Sequence, residues 1–115
     1  LPDVCFTYHD LTVPYYPSRR YGMSICCEVI EHIDDSFSDI VLDSIVRCSD
    51  VCLWSAALPG QGGTNHVNER EELYWEEKFL ARGFIKFDVL RNRLSGFGDD
   101  MVSFWYRQNI MFYCR

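Results

Sequence analysis

The sequence has no apolar run approaching the roughly 20 residues that cross a bilayer, and its amino terminus lacks the basic-then-apolar layout of a secretory signal. The expectation is a soluble protein of the cytoplasm with no membrane partner. It also lacks a basic run. Its 11 lysines and arginines stand against 17 acidic residues, for a net charge of -6. The arginines are scattered at Arg19, Arg20, Arg91, Arg93 and Arg107, so no nonspecific nucleic-acid surface is expected. No internal repeat or low-complexity segment occurs. Cys48 and Cys52 are too widely spaced for a zinc knuckle and have no second pair at metal spacing. Several of the 6 cysteines sit in apolar runs, which suits reduced, buried thiols better than a disulfide framework. Cys26 and Cys27, adjacent on a strand, must face opposite sides.

What is present is core. Nearly half of the 115 residues are apolar and 16% are aromatic, enough to fill one core and too few for two. A single domain over residues 1–115 is expected. The chain opens with Leu1 where a methionine would start a reading frame, which fits a processed, trimmed or partial one.

Val4 to Tyr8 reads as a strand that ends at His9-Asp10, before a loop punctuated by Pro14, Pro17 and Gly22. Met23 to Val29 is apolar without alternation, as for a strand covered on both faces and central in a parallel sheet. From Phe37, the spacing of Ile40, Val41, Ser44, Ile45 and Cys48 predicts a helix of about twelve residues, capped by Asp35 or Ser36. Asp50 to Ala57 returns to strand character, and Pro59, Gly60, Gly62 and Gly63 force a loop. Asn68 and Glu71 form a capping-box pattern for a helix carrying Leu73, Trp75, Phe79 and Leu80, which Gly83 stops. Phe84 to Leu90 alternates as a strand with a more exposed face. A glycine-containing loop then leads to a last strand near Asn109 to Cys114. Strand and helix alternate, so the sheet should be mostly parallel with an antiparallel last strand and helices on the faces.

The stretch Ser24-Ile25-Cys26-Cys27-Glu28-Val29-Ile30-Glu31-His32 releases two carboxylates and an imidazole at the end of a strand, where open α/β sheets bind ligands. With the element order above, it resembles the carboxyl-terminal portion of class I, Rossmann-like methyltransferases that use S-adenosyl-L-methionine (SAM). The segment His66-Val67-Asn68-Glu69, with Tyr74-Trp75, Phe79, Gly83-Phe84 and Trp105-Tyr106-Arg107-Gln108-Asn109, is similar to bacterial methyltransferases that modify small molecules or sugars. The likeness covers nearly the whole chain. It implies SAM as cofactor, a small-molecule or sugar acceptor, an adenine contact at Asp10-Leu11, and a wall at the methionine part formed by Cys27 and Glu28. Asp10 also suits the start of a turn, and Glu28 a solvated strand end.

The family's first strand, its Gly-x-Gly-x-Gly turn and the acid that closes its second strand have no counterpart here. The resemblance therefore implies a truncated sheet that does not hold SAM tightly alone. It also implies an open edge on the Met23 to Val29 strand, which the Val4 to Tyr8 strand or a second copy in a homodimer would cover. A noncatalytic remnant acting as a dimerisation or interaction module is the alternative.

Methyl transfer to a hydroxyl or amine needs a proton acceptor, and His66, in the loop after the third strand, is the candidate. The alternative for His66 is a residue that orders the turn before Asn68. Glu28, Glu31, His32 and His66 also resemble the metal set of small-RNA 2'-O-methyltransferases, where a divalent ion orients ribose hydroxyls. The aromatic cluster Phe104, Trp105, Tyr106, Phe112 and Tyr113 could wall an acceptor pocket or fill the core.

Overall fold

The structure, a computed structural model, describes residues 6–115. It is an α/β fold with one four-stranded mixed sheet. In chain order the elements are β1 (Ser24–Cys27), α1 (Ser38–Cys48), β2 (Val51–Ser55), α2 (Glu72–Leu80), β3 (Ile85–Phe87), α3 (Arg91–Leu94), α4 (Phe104–Asn109) and β4 (Met111–Cys114). Two 3-10 turns, Ile30–His32 and Asp35–Phe37, link β1 to α1. Among the described residues no helix is long and apolar enough to cross a membrane.

The sheet runs β1-β2-β4-β3, and only the β1–β2 pairing is parallel. The last strand is antiparallel, as the sequence predicts, but the sheet is not mostly parallel. β4 enters between β2 and β3 and pairs antiparallel with both, so one reversed strand converts two of three ladders.

Among the described residues β1 is an edge strand, which corrects its expected central place. The residues before it pack on α1 instead: Tyr15 N–H donates to Ser44 Oγ at 3.0 Å and Tyr21 N–H to the Cys48 carbonyl at 2.7 Å. Of the first expected strand, Val4 and Cys5 lie outside the described residues, and Phe6 to Tyr8 adopt no strand. Just beyond, Asp10 accepts from the Thr12 N–H and hydroxyl, so the chain turns there.

Alternation along the strands sorts the side chains. Cys26, Trp54 and Met111 lie in one row on the helix-covered face, next to Cys52 opposite Tyr113. Val41, Leu42 and Val46 of α1 and Trp75 and Phe79 of α2 close over them. The other face carries the row Ile25, Leu53, Phe112 and Phe87, in which Ile25 is 65% and Phe87 47% exposed. Cys26 is buried and Cys27 half-buried, and the five described cysteines are all free thiols. Burial raises the pKa of Cys27 and pushes that of Cys52 up to about 12, so these thiols pack rather than react.

Two caps differ from the expectation. Asp34 caps the Asp35–Phe37 turn by accepting from Ser36 N–H at 3.0 Å, and neither Asp35 nor Ser36 caps α1. Asn68 is buried and donates to Ser38 Oγ at 3.0 Å, while α2 starts after Glu71 without a side-chain cap. Gly83 does end α2, at φ 78°, with Phe84 N–H returning to the Phe79 carbonyl. In β3 the apolar Ile85 and Phe87 point outward, and Lys86 turns inward to the carboxylates of Glu72 and Glu76.

Candidate functional site

The carboxyl ends of parallel β1 and β2 lie side by side, because Cys27 pairs with Ser55 and Glu28 N–H donates to the Ser55 carbonyl at 3.1 Å. Glu28 then adopts φ 53°, a left-handed conformation uncommon for a glutamate. This breaks the strand and starts the Ile30–His32 turn. Ile30, with no exposure, pins that turn in the core. The Glu31 carbonyl accepts from Val67 N–H at 2.8 Å and Asn68 N–H at 3.1 Å, which stitches the loop after β2 onto the turn.

The stitching brings three predicted residues together. One ligand atom each from Glu31, His32 and His66 lies within 4.8 Å of the others. The two imidazoles meet edge to face at 4.8 Å between ring centres. Glu31 has no exposure, and neither carboxylate oxygen has a partner among the described residues. Burial pushes its pKa up to about 7, with the neighbouring Glu28 acting in the same direction. A carboxylate in this position favours either a proton or a cation.

His66 Nδ1 contacts Glu69 Oε1 at 2.8 Å. Glu69 also accepts from Gly60 N–H at 2.8 Å and Gly62 N–H at 2.9 Å. The His66 bond first, then these backbone donors, hold its carboxyl below the usual range. An ionised Glu69 needs a donor, so Nδ1 carries the proton and Nε2 offers its lone pair to a proton or a metal. The same ring packs on Gly63, where a Cβ would collide with it. Gly63→Ala is expected to displace the imidazole and cost about 1–3 kcal/mol, given the positive φ at that position. NMR of the His66 ring and denaturant titration check this, and an unmoved ring would contradict it.

Glu28, the fourth predicted ligand, is outside the trio. Its carboxylate accepts from Gln61 Nε2 at 3.1 Å and Asn109 Nδ2 at 3.5 Å, and Asn109 Nδ2 also donates to Gln61 Oε1 at 2.8 Å. The sequence reading missed Gln61 as a partner, and it missed Glu69 as the residue that holds His66. An acid three positions after a histidine was the available signal for Glu69. Gln61 had none beyond its place between glycines.

The remaining predicted residues separate. Leu11 and Cys27 line a groove of about 540 Å³ between the β1 edge, α1 and the amino-terminal segment. Asp10 does not line it. Its exposed carboxylate stays in its own turn, where the Thr12 N–H and hydroxyl lower its pKa. Phe104, Trp105 and Tyr106 form a chain of ring contacts on α4, whereas Phe112 and Tyr113 take opposite faces of β4. Protein-family models, curated proteins and solved structures give no match to the chain.

Proposed function

We propose that the chain is the carboxyl-terminal portion of a SAM-dependent methyltransferase domain acting on a hydroxylated small molecule or sugar, with His66 as proton acceptor. The observation that carries this reading is the Glu69–His66 pair, anchored by two glycine N–H groups at the carboxyl ends of two parallel strands. When bound, SAM supplies a methyl group on an electrophilic sulfonium carbon. The apolar groove of Leu11 and Cys27 suits the cofactor's apolar parts. His66 Nε2 would take the proton of the acceptor hydroxyl, and Glu69 would stabilise the resulting imidazolium. Buried Ile30 and the Glu31 carbonyl keep the two loops in register during the step.

The test is an NMR titration of the labelled chain with S-adenosylhomocysteine. Leu11, Cys27 and Glu28 should shift at millimolar ligand, an affinity of about 4 kcal/mol. Shifts absent from the end of β1 would sink the reading. Micromolar binding would instead overturn the expectation that a Gly-x-Gly-x-Gly turn is needed for tight binding.

The buried Glu31 carboxylate, with no partner among the described residues, supports a second reading, in which a divalent cation held by Glu31, His32 and His66 orients vicinal hydroxyls of the acceptor. Two substitutions separate the readings. With His66 as base, His66→Ala lowers transfer of labelled methyl by about 10²–10⁴-fold and His32→Ala leaves it unchanged. With a bound cation both lower it, and both weaken Mn²⁺ binding.

A further inference from the structure

Behind the Glu28 network lies a small, partly open space lined by Glu72, Trp75, Asn109 and Tyr113 along with apolar side chains of β2, β4 and the segment just after β2. Three polar atoms on these residues, Trp75 Nε1, Asn109 Oδ1 and Tyr113 Oη, are buried and have no partner among the described residues. Buried polar groups left unpaired are rare in folded proteins, because water would otherwise satisfy them. The space offers about 10 Å³ to the centre of a water-sized sphere, which is about one water molecule.

The three groups also select the occupant's chemistry. An indole N–H only donates, an amide oxygen only accepts, and a phenol does either. A cation would face the indole donor and a Glu72 carboxylate already paired with Lys86 and Arg91, and an anion would face that carboxylate and the amide oxygen. Only a small neutral molecule that both donates and accepts serves all three. We infer that a single bound water bridges Trp75, Asn109 and Tyr113, and that through it Trp75 and Tyr113 act as positioning residues for the Glu28–Gln61 end of the site.

The link to the site runs through the Asn109 amide. Its Nδ2 donates to Gln61 Oε1 at 2.8 Å and to Glu28 Oε1 at 3.5 Å. Turned over, the amide would set its oxygen against both of those acceptors. A water that accepts from Trp75 and donates to Asn109 Oδ1 holds the nitrogen toward Glu28. This role does not depend on which reaction the site performs.

The probe is water itself, read by NMR as a dipolar cross-peak to the Trp75 indole N–H in the labelled chain. The expected result is a cross-peak with the sign of a long-lived bound water. Tyr113→Phe keeps the ring on Phe79 and removes only the hydroxyl. In that variant the cross-peak should weaken or vanish, and the Asn109 side-chain amide resonances should shift. An exposed control, Leu80→Ala, should change neither. Absence of the cross-peak in the wild type would overturn the inference outright. A cross-peak and Asn109 resonances unchanged in Tyr113→Phe would overturn the bridging and positioning roles.

Discussion

Phe79→Ala is expected to lower the stability of the domain by about 3–5 kcal/mol, a large part of the 5–15 kcal/mol typical of a domain. Phe79 has no exposure and belongs to the hydrophobic core. Its ring stacks on Tyr113 of β4 at 3.9 Å and meets Trp54 of β2 at 5.1 Å and Phe84 before β3 at 6.1 Å. Removing it costs the transfer of the ring and leaves a cavity that three rigid aromatics cannot close. Part of that wall is also the space assigned to the bridging water, so collapse there would disturb Asn109. Urea titration should show a lower midpoint with an unchanged slope. The neighbouring Leu80→Ala, at a residue 61% exposed, should stay within about 0.5 kcal/mol. A loss below about 1 kcal/mol in Phe79→Ala would refute this account of the core.

Local pattern was enough for the elements whose signals are local. The apolar spacing from Ile40 to Cys48 became α1, and Gly83 stopped α2 through its left-handed backbone. Sheet order was not legible, because it depends on which edges meet. Phe112 sits between Leu53 and Phe87, at sequence separations that no window of periodicity samples. Asn68 shows the same limit from the other side. Its capping pattern is genuine in sequence, yet its amide found Ser38, thirty positions away in the chain. In the candidate site, the residue types at the end of β1 were readable, and their division of labour was not. Glu28 and Glu31 look alike as strand-end carboxylates. Tertiary packing gave one two amide partners and left the other buried with none among the described residues.

That division makes Glu31→Gln the most informative substitution. In the unfolded chain the Glu31 carboxyl titrates near its ordinary value of 4.5, and in the fold burial lifts it to about 7. Below the unfolded value both states are protonated, and the fold's preference for the neutral acid is fully present. As pH rises toward 7 the unfolded chain releases a proton that the folded one keeps, so this contribution is lost. Above 7 the folded state carries a buried charge at a cost of about 3 kcal/mol. Glutamine is neutral throughout and nearly isosteric. With a chelator present, Glu31→Gln should flatten the fall in stability between pH 5 and 8 and leave the variant more stable than the wild type at pH 8. Denaturant titrations at the two pH values read this directly, and an unchanged fall would show that Glu31 is not the group responsible. Adding Mn²⁺ at pH 8 then separates the two functional readings. If the trio holds a cation, the wild type regains about 2.7 kcal/mol at a hundredfold excess over the dissociation constant, and the variant gains far less. If His66 acts alone as the base, Mn²⁺ changes neither protein.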